Sequence, residues 1–210
     1  MKILSVTPLA LPEVHVVRFA RFADVRGYFT ESYNKHDFEA HPDLRFLSRE
    51  RFVQTNESYS RAGTLRGLHF QWDPPQGKLV RTLHGQMIDI VVDIRQGSAN
   101  RGRGVMYDLT SDDDRGYGEW IWVPPGFAHG TWFPQSSRIE YLCSAPYNAG
   151  AEGAISPLSE GIDWSLCDPA LVTEFERFTA SDGLRMSDKD RAGMSWSGWL
   201  DDPRSNFFSV

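Results

Sequence analysis

Cysteine is scarce: Cys143 and Cys167 are the only two in 210 residues, and they form no Cys-x-x-Cys pair. That leaves no material for a disulfide framework or a zinc knuckle, and both side chains read as reduced thiols. Long apolar runs are missing too, since no stretch approaches the roughly 20 residues of a membrane helix. The N-terminal run is interrupted by Pro8 and Pro12, with no small-residue cleavage site after it, so a signal peptide is not expected and a cytoplasmic location is. Basic charge is short: 22 Lys and Arg against 28 Asp and Glu leave a net charge of -6. This argues against nonspecific nucleic-acid binding, which needs a basic surface. A small anionic ligand stays open, because a few Arg and Lys can converge in one pocket of an acidic protein.

What the chain has is turn-forming residues, 18 Gly and 12 Pro, which favour short strands over long helices. Alternation predicts strands over Val14 to Phe22, Phe52 to Ser58, Lys78 to Leu83, Gln86 to Ile94, Gly104 to Thr110, Glu119 to Val123 and Arg138 to Ser144. The third and fourth read as a hairpin turning at His84-Gly85. In the fourth, Ile88, Ile90, Val92 and Ile94 share one face, and Asp89 and Asp93 lie on the other. Asp24 to Glu31 reads as a charged, glycine-hinged loop, and Asn34 to Ala40 as a short helix. The expectation is an all-β sandwich or barrel forming one domain over 1–210, its core at about 14–164. A mixed, aromatic extension from about 165 to 210, with Trp196, Trp199, Phe207 and Phe208, would pack back on it.

Gly63-Thr-Leu-Arg66-Gly-Leu-His69-Phe-Gln71 breaks the pattern of an ordinary strand. It sets an imidazole that titrates near neutrality beside Arg66, with Lys78 following. Gln54, Asn56 and Ser58 share one strand face, which suits either a ligand wall or an exposed surface. Downstream, Gly118, Pro124, Gly126 and His129 are spaced like the second motif of the cupin superfamily, as Gly63 and His69 resemble the start of its first. That resemblance implies a cupin-type jelly roll with His69 and His129 lining one pocket, facing each other across the interior. Metal-dependent cupins carry His-x-His and Glu in the first motif. Here Gln71 stands two after His69 and Gln76 falls near the glutamate position, a poor donor set for a divalent ion.

A narrower resemblance follows from Arg26-Gly-Tyr-Phe29-Thr-Glu31, Gln54-Thr-Asn56, Leu65-Arg-Gly-Leu-His-Phe-Gln71, Asp89 to Arg95, Ala128-His-Gly130, Tyr141-Leu-Cys143 and Ser187-Asp-Lys-Asp190. In this order they are similar to the dTDP-4-dehydrorhamnose 3,5-epimerase family, from about residue 24 to 190. The family implies a homodimeric barrel that uses no metal or other cofactor and inverts C3, C5 or both of a nucleotide-linked 4-keto-6-deoxyhexose. A C4 ketone acidifies the neighbouring C–H bonds, so inversion needs a base, an enolate stabiliser and an acid on the opposite face.

By that resemblance His69 is the base and Asp190 its orienting partner, Lys78 faces the enolate oxygen, and Tyr141 supplies the opposite proton. Locally, Asp190 reads equally well as part of a capped helix start, Tyr141 as a barrel-filling aromatic, and Lys78 as a solvated charge. Arg26, Arg66 and Lys189 match diphosphate positions. Phe29 and Glu31 match a segment that reaches a neighbouring subunit's site. Gln54, Asn56, Tyr147 and Glu152 match further substrate contacts, alongside His129. His84, and the small-residue setting of Glu152, depart from expectation and leave single or double inversion open. The alternative is a metal-dependent or non-catalytic sugar-nucleotide-binding cupin.

Overall fold

Two facing antiparallel sheets carry the alternation read above. A computed structural model describes residues 1–210 and contains thirteen strands: β1 (Ile3–Pro8), β2 (His15–Ala20), β3 (Phe22–Asp24), β4 (Gly27–Phe29), β5 (Gln54–Ser60), β6 (Thr64–Gln71), β7 (Lys78–His84), β8 (Ile88–Asp93), β9 (Gly104–Asp108), β10 (Tyr117–Val123), β11 (Phe127–Phe133), β12 (Ser137–Cys143) and β13 (Glu152–Ala154). One sheet runs β1-β2-β10-β7-β12-β5 and the other β13-β6-β11-β8-β9, while β3 and β4 form a separate ribbon. This is the expected cupin jelly roll. It begins earlier than residue 14, because Ile3–Pro8 pairs along β2.

Between the sheets, Val16, Val80, Ile121 and Ile139 from the first meet Val91, Val105, Phe127 and Phe133 from the second. The outer face of the second sheet is apolar as well. Leu65, Phe70, Ile88, Ile90, Val92 and Trp132 lie under Phe175, Trp196, Trp199 and Phe208 of the C-terminal extension. That extension folds as α2 (Pro169–Thr179), α3 (Asp188–Arg191) and α4 (Trp196–Asp201), following α1 (Lys35–Ala40) near the N-terminus. Asn34, Asp168, Ser187 and Ser195 cap them, each accepting from a backbone N–H that the first turn leaves free. Trp199 is fully buried with its ring 4.5 Å from that of Phe70. Truncating such a side chain costs about 3–5 kcal/mol, so the extension is part of the core.

Two sequence expectations change, and β11 goes unannounced. β7 and β8 are not a hairpin: β7 lies between β10 and β12 in one sheet, β8 between β11 and β9 in the other. The turn at Gly85 (φ +90°) therefore carries the chain from sheet to sheet, and a Cβ there would meet the Ser137 hydroxyl at 2.4 Å. β11 is buried at every position, so it shows no alternation to find. Asp24 to Glu31 is not a simple loop, because Gly27–Phe29 folds back on Phe22–Asp24.

Candidate active site

The site grows from an irregularity in β6. His129 on β11 opposes His69, but the next register partner, Thr131, opposes Arg66, so three steps on β6 match two on β11. The extra residue is accommodated as a bulge at Gly67, whose φ is +101° and where a Cβ would lie 2.6 Å from the Gly130 Cα. Strict alternation would put Arg66 and His69 on opposite faces. The bulge turns both into one cavity of about 200 Å³ between the sheets. Arg66, His69, His129 and Thr131 form its wall on one sheet, and Ser58, Lys78 and Tyr141 its wall on the other. His69 and His129 are therefore neighbours on adjacent strands, not residues facing each other across the interior.

His69 Nε2 lies 2.7 Å from Asp190 Oδ1. Asp190 reaches it from α3, where Ser187 Oγ accepts the Asp190 N–H at 3.1 Å and donates to Asp190 Oδ2 at 2.8 Å. The helix start and the contact with His69 coexist at Asp190, because one serine serves both the cap and the carboxylate. Burial pushes the Asp190 carboxyl up, but hydrogen bonds from His69 and Ser187, the His69 charge and the Gly67 N–H hold it below its usual value. An ionised partner on Nε2 fixes that nitrogen as the protonated one and leaves Nδ1 as the basic atom.

A second pair stands beside the first. His129 Nε2 lies 2.8 Å from Asp89 Oδ2, with Asp89 fully buried and its Oδ1 without a partner. Asp89 escapes a reading of the sequence because an aspartate alternating with aliphatics normally faces water. Here the aliphatic face of β8 is covered by the C-terminal extension, so the aspartate face turns into the barrel.

On the other wall, burial pushes the Lys78 ammonium down, against the pull of Cys143, Glu152 and Asp89. Burial also pushes the Tyr141 phenol up, as does Cys143, while Arg66 opposes the rise. Tyr141 is thus kept protonated.

Around this cavity, Gln54 Nε2 donates to Asn56 Oδ1 at 3.0 Å, and Gln54 Oε1 accepts the Tyr147 N–H at 2.9 Å. Asn56 Nδ2 in turn reaches Cys143 Sγ at 3.5 Å. Glu152 accepts from the Tyr147 hydroxyl at 3.2 Å and pairs with Lys189. Burial pushes the Glu152 carboxyl up, but Lys189, His69 and Tyr147 together hold it below its usual value. Arg66 donates to Ser60 Oγ at 2.9 Å, leaving much of its guanidinium free.

Three candidates lie elsewhere in the chain. Arg26 is exposed and paired with Asp24, Phe29 is exposed on the β3–β4 ribbon, and Glu31 pairs with the N-terminal ammonium and accepts from Asn34. His84 ends β7 at the surface. Gln71 donates to the carbonyls of Pro74 and Pro146 and accepts the Asn148 N–H, while Gln76 donates to Ala145. Both amides tie loops together, and they complete no donor set with the two imidazoles for a divalent ion.

The family model described as dTDP-4-dehydrorhamnose 3,5-epimerase matches residues 8–197. The chain is 39% identical over 192 residues to the dTDP-4-dehydrorhamnose 3,5-epimerase of Salmonella typhimurium, spanning 81% of this chain and 100% of that one. It is 36% identical over 185 residues to that of Sinorhizobium fredii, with 87% and 84% covered. A crystal structure of the dTDP-6-deoxy-D-glucose-3,5-epimerase from Legionella pneumophila, in complex with dTDP-4-keto-L-rhamnose, is similar at a TM-score of 0.78 and 31% identity, covering 96% of each chain. With a match running from the end of β1 into α4, over the same barrel, the chain belongs to the dTDP-4-dehydrorhamnose 3,5-epimerase family.

Proposed function

We propose that this chain inverts C3, C5 or both of a dTDP-linked 4-keto-6-deoxyhexose by proton abstraction and opposite-face reprotonation, without a metal or redox cofactor. One observation carries the reading: His69, bonded to Asp190 of α3, and Tyr141 stand on opposing sheets and line one cavity. A hexose ring lying between them would meet a base on one face and an acid on the other. His69 Nδ1 would take the proton next to the ketone, and Asp190 would stabilise the imidazolium that results. Lys78, and His129 held by Asp89, would stabilise the enolate oxygen at C4. Tyr141 would return a proton from the far side. Positioned acid–base groups of this kind contribute about 10²–10⁴-fold each.

For the nucleotide, Arg66 and Lys189 fit the diphosphate, and Gln54, Asn56, Tyr147 and Glu152 the nucleoside end. The exposed Phe22, Val25 and Phe29 of the β3–β4 ribbon support a homodimer in which Arg26, Phe29 and Glu31 reach a neighbouring site, since apolar side chains clustered on a projecting ribbon favour a partner surface. We infer one domain over 1–210. No helix is long and apolar enough to cross a membrane, in keeping with the expected cytoplasmic location.

The test is solvent deuterium exchange with dTDP-4-keto-6-deoxyglucose in D₂O, read by NMR at each carbon. Deuterium should enter C3, C5 or both, and chelation should leave the rate unchanged. No exchange at either carbon would remove the epimerase reading, and activity lost on chelation and restored by a divalent ion would favour a metal cupin.

A further inference from the structure

Beside the cavity, and sharing Arg66 and His69 with it, a second groove of about 370 Å³ opens toward solvent and also reaches Asp190. Its rim carries three cations: Arg66, Arg185 and Lys189. Lys189 is already paired with Glu152. Arg66 donates only to neutral oxygens, Ser60 Oγ at 2.9 Å and the Tyr59 carbonyl at 3.4 Å. Arg185 is in the same condition, with Nε on the Ala62 carbonyl at 3.3 Å. Neither guanidinium has a carboxylate partner, and each keeps free N–H groups.

The main chain of Arg185 is held firmly. Its N–H donates to the Gly63 carbonyl at 2.7 Å, and its carbonyl accepts the Leu65 N–H at 2.9 Å, which ties it alongside the start of β6. Gly63 permits this approach, since a Cβ there would lie 2.6 Å from the Gly183 carbonyl oxygen. Two forked cations thus spring from one short stretch of sheet, at the exit of the cavity.

We propose that Arg185 is a diphosphate-binding residue that forms, with Arg66, a two-guanidinium clamp on the linker of the sugar nucleotide. This rests on the epimerase reading given above. A single oxygen separates the sugar C1 from the first phosphorus. With the hexose between His69 and Tyr141, the diphosphate must sit at the mouth that Arg66 guards. Planar guanidinium forks match phosphate oxygens in bidentate fashion, and two of them neutralise a diphosphate that one could not. Arg185 is exposed, so its contribution comes from directed hydrogen bonds more than from unscreened charge.

Calorimetric titration with dTDP and with thymidine tests this on the intact chain and on Arg185→Gln and Arg185→Lys. Loss of a charge-assisted pair should weaken dTDP binding about tenfold or more in Arg185→Gln, with thymidine binding unchanged. Arg185→Lys should restore only part, because an ammonium keeps the charge without the fork. The salt dependence of dTDP affinity should also become shallower in Arg185→Gln. A dTDP affinity within about twofold of the parent chain would overturn the proposal, as would an equal loss for thymidine, which has no diphosphate to report. If the parent chain itself bound dTDP no better than thymidine, the sugar-nucleotide reading would fail together with the clamp.

Discussion

His69 and His129 are register partners on adjacent strands, and each holds a buried carboxylate through Nε2: Asp190 at 2.7 Å and Asp89 at 2.8 Å. The two pairs use the same ring nitrogen but draw their carboxylates from different layers, Asp190 from the C-terminal extension and Asp89 from the neighbouring strand β8. The His69 side chain is 26% exposed and that of His129 9%. A base that must receive a proton from a bound sugar and release it to solvent fits the more open ring. A fixed donor to the enolate fits the enclosed one.

Replacing Asp190 by Asn keeps the shape but removes the charge that fixes the His69 tautomer. Proton exchange at the sugar should fall by about 100-fold or more, with nucleotide binding retained. The folded pKa of Asp190 lies below its ordinary 3.8. Its stabilising contribution is therefore complete above that value and is lost as pH falls through the lower folded one. Acid unfolding of Asp190→Asn should accordingly be less steep in that window. Full retention of exchange would remove Asp190 from the mechanism.

Lys78 and Tyr141 are shifted in opposite directions, which sets the alkaline side of the pH profile. Burial puts the folded pKa of Lys78 below 10.5, while that of Tyr141 lies above 10.0. If Lys78 stabilises the enolate as proposed, its ammonium is the group whose loss of a proton ends that stabilisation below 10.5 as pH rises. Exchange should therefore show a basic limb that persists in Tyr141→Phe. For stability the sign is opposite to that of a paired lysine. Between the folded pKa and 10.5 the unfolded chain binds the extra proton, so stability rises with pH. Lys78→Met should abolish exchange, erase that rise and increase the melting temperature at neutral pH, because it removes a buried charge. A lower melting temperature would argue that Lys78 is a structural cation.

Asp89 is among the groups that raise the Lys78 pKa. Asp89→Asn should then lower that pKa further and move the basic limb of the exchange profile to lower pH. It should also slow exchange by about tenfold or more through loss of the His129 orientation. An unmoved limb would show that Asp89 and Lys78 are not coupled.

Much of this was legible because the barrel strands alternate and the His, Lys and Tyr positions come in a recognisable order. Val14 to Phe22 and Phe52 to Ser58 announce strands, and Trp196 and Trp199 announce a packed tail. What alternation cannot reveal is a face covered on both sides. β11 has no exposed face to mark it, since its polar His129 and Thr131 turn into the cavity, and Asp89 on β8 looks like a solvent-facing residue until the C-terminal helices occupy the other side. Nor can local pattern tell a hairpin from a crossing between sheets. His84-Gly85 suits both, and only the pairing partners of β7 and β8 decide. The bulge that joins Arg66 to His69 is visible as a glycine in the sequence, but its consequence lies in the partner strand.

That bulge makes Gly67 a stringent position. Alanine would add a Cβ at φ +101° only 2.6 Å from both the Gly130 Cα and the His129 carbonyl oxygen. Strain and overpacking together should cost about 2 kcal/mol or more, read as a lower midpoint in urea unfolding. Any folded Gly67→Ala protein should also lose exchange, since a repaired register would turn Arg66 away from His69. Parent-like stability would mean that the strands can separate without cost.

Tyr141→Phe separates the two halves of inversion. In the proposed mechanism abstraction falls to His69, on the sheet of β6, and reprotonation to the phenol of the opposite sheet. Without the phenol, the enolate can still form and take deuterium back from the base side, returning the original configuration. Washout at the sugar carbon should therefore persist at a substantial fraction of its rate while net inversion slows by about 10²-fold or more. The ratio of the two rates is measured in one NMR time course, and the phenyl ring keeps the apolar contacts of Tyr141 with the barrel interior. Equal losses of exchange and inversion would assign Tyr141 to packing and require another acid on the β7–β12 wall.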